Sequence, residues 1–341
     1  MKDLKKPLLL KKDKGIKVKN SGSLNPLISK VGGVDHSIHF PGLSVPKWIF
    51  YSLLTVFLYG LQGLSIKLSS NNIPPLLIQV ISSFGLIPVI FVLLFSRNIR
   101  AIHGKLGNGI WFSILVGITG LIAALAQFYA SSLGGPASIV VPVISLSSLV
   151  TVIFARFVYK DRLNLFQIIG VSLSIIAILM FNIKGDDFSG TSWSFWDIVP
   201  STWMLIALGG LLSAGIAGLF IKSATNNVSA DLVTLVVLTV NLSFSVILIF
   251  SQSFSWDISL RDMIVCFLVG LFGSTAFLTQ SAAYSYGITS LVAPLCSLFP
   301  VVTVILSAPV LGEKLTLMII GAVAISTLAG ITISIEKKPK L

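Results

Sequence analysis

Ten stretches of mostly apolar residues run through this chain, near 48–68, 75–95, 110–131, 136–157, 165–183, 202–223, 230–251, 262–284, 288–310 and 317–335. A helix of about 20 apolar residues matches the hydrocarbon thickness of a bilayer. In that medium every backbone N–H and C=O must find its partner inside the segment, so each stretch is expected to be a helix. Composition agrees. Only 11% of residues are charged and the mean hydropathy is +0.96, whereas soluble domains carry roughly 25% charge. The expected fold class is an all-α integral membrane protein with ten transmembrane helices. Short connections make successive spans antiparallel, and the longest connection, residues 184–201, divides the ten into five and five.

The charges are unevenly spread. Ten of the 24 Lys and Arg precede residue 48. Positive blocks beside apolar spans answer to membrane topology and lipid headgroups rather than to nucleic acid. Residues 1–46 read as a disordered basic cytosolic tail, since Leu8-Leu9-Leu10 is too short for a signal-peptide core and the Lys-rich, Asp-containing composition is not that of a transit peptide. With this tail in the cytosol, 20 basic residues fall on that side and 3 on the other, which places both termini in the cytosol. The chain's only cysteines, Cys266 and Cys296, lie in apolar runs and read as packing residues. His36 and His39 have no further ligand near them, so no metal site and no cofactor is expected.

The tetrapeptide V-T-V-I occurs at 150–153 and again at 302–305. Its surroundings repeat with it: residues 135–165 match 287–317 in 13 of 31 positions. At an offset of 155, WIFYSLLTVFLYGLQGLSIKLSSNN is similar to WMLIALGGLLSAGIAGLFIKSATNN. At 153, Gly117, Gly120, Ala123 and Gln127 recur as Gly270, Gly273, Ala276 and Gln280. Three spans agreeing within three residues of offset identify an internal duplication of a five-helix unit, over 47–184 and 202–336, with a loop at 185–201 and a basic cytosolic terminus at 337–341. Because five is odd, the second unit enters the membrane from the opposite side. Inverted repeats of this kind accompany alternating access to a site near the bilayer midplane.

On Pro142 and Pro294, Gly312-Glu313-Lys314-Leu315 followed by Gly321, and Gly60/Gly215 in the first span of each unit, the chain resembles the drug/metabolite transporter superfamily, in particular its EamA-type members. The resemblance covers residues 48–335 and implies a ten-span, two-repeat fold that exports or exchanges small metabolites such as amino acids, nucleotide sugars or sugar phosphates. The chain departs from the pattern in three places. Lys160-Asp161-Arg162 stands where the second repeat has Gly-Glu-Lys, Ser147-Ser148 stands opposite Phe299-Pro300, and Tyr59 replaces a common tryptophan.

Several residues are candidates for function. Gly60, Gly63, Gly215 and Gly218 form small-residue faces that let helix backbones approach. Lys67 and Lys222, at the ends of the same spans, offer charge contacts to a substrate or snorkel to the interface. Gln62, Gln127, Asn241, Ser274, Thr275 and Gln280 lie within spans, where a polar group needs a partner; they are candidates to bind substrate or to tie helices together. Pro142 and Pro294 each permit a kink and are candidates for gating. Asp161 and Glu313 read as loop charges paired with Arg162 and Lys314.

No Asp, Glu, His or Arg stands at the centre of any apolar stretch. Proton relays need such groups and phosphate recognition needs basic clusters, so a neutral or zwitterionic metabolite is the expected cargo. The expected partners are a small-molecule substrate and the lipid bilayer, not nucleic acid, and a homodimer is compatible with the sequence. An enzyme is not expected, since no catalytic pair accompanies His103. The competing reading is a scaffold that keeps the transporter fold without transport.

Overall fold

The computed structural model describes residues 37–40, 43–96, 99, 102, 104–147, 149–151, 153–154, 165–182, 201–286, 292, 295–296 and 298–333. The tail before Ser37, the inter-repeat loop through residue 200, Asp161, Arg162, His103, Pro294 and the side chain of Lys222 lie outside the described residues.

A short antiparallel hairpin, β1 (Ser37–Phe40) and β2 (Leu43–Pro46), pairs Ser37 with Pro46 and Phe40 with Leu43. In the sequence Pro41-Gly42, a turn-forming pair, separates these two short alternating runs.

The remaining regular elements of the described chain are helices, apart from an isolated bridge between Ile102 and Val228. The helices are α1 (Lys47–Ser70), α2 (Pro75–Phe84), α3 (Ile87–Leu94), α4 (Leu106–Ser132), α5 (Ala137–Ser145) and α6 (Leu165–Asn182), then α7 (Thr202–Thr225), α8 (Ala230–Ser251), α9 (Leu260–Tyr286), α10 (Phe299–Leu311) and α11 (Leu317–Ile333). Counting α2 and α3 as one segment over Pro75–Leu94, six helices are long and apolar enough to cross a membrane, and four shorter apolar ones accompany them. Large apolar side chains face outward on many of them: Phe250 is 87% exposed and Phe95 74%. Such a surface suits lipid and would aggregate in water.

Two of these interruptions have local causes. Pro88 cannot donate to the carbonyl of Phe84, and the Gly85 and Leu86 N–H groups turn back to Ser82 and Ser83 at 2.9 and 3.1 Å, which separates α2 from α3. At the end of α5 the Ser145 hydroxyl takes the Pro142 carbonyl at 2.7 Å, and the Leu146 N–H bonds Val143 instead. The equivalent bond recurs in the second half, from Leu298 N–H to the Leu295 carbonyl.

Packing follows a two-fold pattern. α1 lies along α9 and α10, and α7 lies along α4 and α5; α2 packs on α9 as α8 packs on α4. α2–α8 and α6–α11 are pairs of equivalents, and α5 of the fourth apolar stretch packs on α10 of the ninth. The interior is built from small and branched apolar residues such as Val140, Val143, Leu146, Ala207 and Ala322 in one cluster and Ile66, Leu77, Ile78 and Val269 in another.

Candidate functional site

The glycine faces meet residues of the repeated tetrapeptide. A Cβ on Gly60 would lie 2.5 Å from Cβ and Cγ1 of Val302, and one on Gly215 would collide with Cβ of Val150. One turn on, Gly63 faces Thr303 and Gly218 faces Thr151. Each threonine hydroxyl then donates to a glycine carbonyl across the seam, Thr303 Oγ1 to Gly60 O at 3.2 Å and Thr151 Oγ1 to Gly215 O at 2.8 Å. The V-T of both V-T-V-I stretches is therefore one contact made twice, each time between opposite halves. Bare backbone admits the threonine, whose hydroxyl finds an acceptor on the facing helix.

These crossings leave room beside them. A cavity of about 230 Å³ opens between α1, α2, α4, α7, α8 and α9, near the mid-length of the helices. Tyr59, Gln62, Gln79, Ser82, Asn241 and Ser274 are its principal polar lining, and among the described residues no acidic or basic side chain lines it. Most of these groups already have partners. Ser274 Oγ donates to Gly270 O at 2.7 Å, Ser82 Oγ to Gln79 O at 3.1 Å, and Gln79 Nε2 to Ser245 Oγ at 3.3 Å. Tyr59 OH donates to Gln280 Oε1 at 3.2 Å, and Asn241 Nδ2 to Val237 O at 2.9 Å. Among the described residues, the Gln62 amide and Asn241 Oδ1 make no hydrogen bond.

Of the six polar candidates, the structure brings Gln62, Asn241 and Ser274 together in the cavity wall. Thr275 donates to Leu271 O on its own helix at 2.6 Å, Gln280 stands behind Tyr59, and Gln127 is half-buried on α4; none of the three lines the cavity. Pro142 lies inside α5. Tyr59, Gln79 and Ser82 were not singled out from the sequence. Gln79 carries the same signal as Asn241, an amide inside an apolar run, and that signal could have found it. Tyr59 was visible only as a departure from the family pattern.

Lys67 Nζ donates to the Ser131 carbonyl at the end of α4, at 3.0 Å, and lies in the field of Glu313. Glu313 itself corrects the reading of a charge paired with Lys314. Its carboxylate accepts the Ala137 and Ser138 N–H groups, at 2.7 and 3.0 Å. The N-cap of α5 is Pro136, which supplies no side-chain cap, so the first-turn donors are satisfied from the opposite half of the molecule.

The EamA-like transporter family model matches residues 46–183 and again residues 201–335. A probable amino-acid metabolite efflux pump of Escherichia coli (strain K12) is 25% identical over 290 residues, 81% of this chain and 91% of that protein. A protein of the same description from Salmonella typhimurium is 30% identical over 131 residues, 38% of this chain and 41% of that one. An uncharacterized protein of Methanocaldococcus jannaschii is 30% identical over 136 residues, 40% of this chain but 96% of its own length. A protein of known crystal structure, 18% identical, covers 83% of this chain and 97% of its own with a TM-score of 0.53, a likeness of fold. Matched twice, over nearly all of the chain beyond its basic tail, this multi-pass membrane protein belongs to the EamA-like transporter family.

Proposed function

We propose that this protein moves a small, net-neutral metabolite of amino-acid type across its membrane by alternating access, with ten spans arranged as two inverted five-helix repeats and both termini in the cytosol. The observation that carries the reading is the cavity between the first three spans of each half, whose described lining carries no charged side chain. The symmetric packing pattern supplies the two interchangeable halves that alternating access needs. The relatives named as amino-acid metabolite efflux pumps support the substrate class. Among the described residues no charged group lines the cavity to neutralise a phosphate or to relay a proton, so facilitated diffusion or exchange is the fitting mode.

The test is uptake of radiolabelled neutral amino acids into proteoliposomes containing the purified protein, with and without unlabelled amino acid inside. Saturable uptake, accelerated by internal substrate, is the expected result. Accumulation no faster than in protein-free liposomes across the series would favour a non-transporting scaffold.

A further inference from the structure

The duplication gives the cavity two equivalent glycine positions, and they are not filled alike. Gly120 of α4 and Gly273 of α9 correspond at an offset of 153 and both line the cavity. A Cβ on Gly273 would run into the Gln62 amide, whereas a Cβ on Gly120 meets nothing within 4 Å. The difference traces to one substitution between the halves. The equivalent of Gln62 at an offset of 155 is Ala217, which also lines the cavity and leaves the space over Gly120 empty. Two hydrogen-bonding groups without partners, the Gln62 amide and Asn241 Oδ1, border the same cavity.

We infer that the substrate sits over Gly120, in the place that a glutamine takes over Gly273, and draws its hydrogen bonds from Gln62 and Asn241. This rests on the transporter reading above and narrows it. The cargo is net-uncharged, because a net charge would enter a wall whose described residues offer no counter-charge. It carries a donor for Asn241 Oδ1 and at least one acceptor for the Gln62 NH2, and the space over Gly120 limits its size.

Proteoliposomes loaded with parent, Gln62→Leu, Gly120→Val or Ala217→Gln protein are assayed with labelled serine, glutamine and phenylalanine, and with labelled glutamate and lysine. Melting temperature is measured on the same samples. The parent is expected to move the three neutral compounds in preference to the two charged ones. Gln62→Leu raises KM by roughly two- to tenfold, the cost of one lost neutral hydrogen bond. Gly120→Val impairs phenylalanine transport more than serine transport without lowering the melting temperature. Ala217→Gln, which supplies the missing glutamine, closes the site to the whole series. Should Gly120→Val fail to fold, Gly120→Ala and Ala217→Gln carry the same comparison. Parental KM in Gln62→Leu, an unchanged size profile in the Gly120 variants, or equal transport of lysine and serine by the parent overturns the inference and leaves the transporter reading standing. A parent that moves none of the five compounds removes both.

Discussion

A methyl group is all that separates glycine from alanine, and at the crossing of α1 with α10 there is no room for it. Gly60→Leu and Gly215→Leu are therefore expected to destabilise the protein by about 1–3 kcal/mol or more, because Val302 or Val150 must be displaced. Thermal melting in detergent, read by size-exclusion chromatography, checks this; parental melting in both would mean that the halves do not meet there. Thr303→Val and Thr151→Val keep the shape and remove the hydroxyl. Each should cost about 0.5–1.5 kcal/mol, and the double variant should cost close to their sum, since the two contacts share no partner. Gln280 accepts a bond from Tyr59 and does not line the cavity. Gln280→Leu is accordingly expected to lower the melting temperature and leave KM at its parental value, and a raised KM at unchanged melting would place it in the binding site. The glycines and the amide pairs were legible in the sequence because duplication singled them out. Gln62 and Asn241 were legible as amides inside apolar runs, without a twin in the other half; Gln79 carries that same signal, and Tyr59 is an aromatic residue that hydropathy does not separate from the rest of its run.

Helices were the easiest elements to read, since a long apolar run in a bilayer has few other ways to satisfy its backbone. Their interruptions were harder. Pro142 suggested a kink at itself, but the turn comes at Leu146, where the Ser145 hydroxyl competes with a backbone N–H for the Pro142 carbonyl. Hydropathy carries no trace of such a competition. The cap of α5 was illegible for another reason, since Glu313 lies 176 residues from Ala137 along the chain. Its removal tests the role at this scale. Glu313→Ala should destabilise the protein by about 0.5–2 kcal/mol, the usual cost of a lost N-cap, and Glu313→Gln, which keeps one acceptor oxygen, should restore part of it. Equal melting of parent and Glu313→Ala would show that solvent satisfies the first turn of α5 as well as the carboxylate does.

At the scale of the whole molecule, the parity of five spans and the distribution of basic residues together set the expected orientation. Cysteines placed at Lys338 and within residues 185–200 test it. In intact cells an impermeant thiol reagent should label the loop and spare position 338, and labelling of position 338 from outside would reverse the assignment. The sequence carried the number of apolar segments and their kinship across the repeats. It could not say which helix touches which, because apolar faces look alike to one another, and only the folded chain shows that each half finds its main contacts in the other.

That reciprocity bears on how the polypeptide is held together. Thr151 reaches from the first half to Gly215 in the second, and Thr303 from the second half to Gly60 in the first. The covalent link across residues 184–201 is then a tether between two pieces that recognise each other through surfaces of their own. Severing it should leave a heterodimer. Two polypeptides ending and beginning within that link, made in the same cell, should co-purify as one complex, and either one alone should be degraded with its glycine face uncovered.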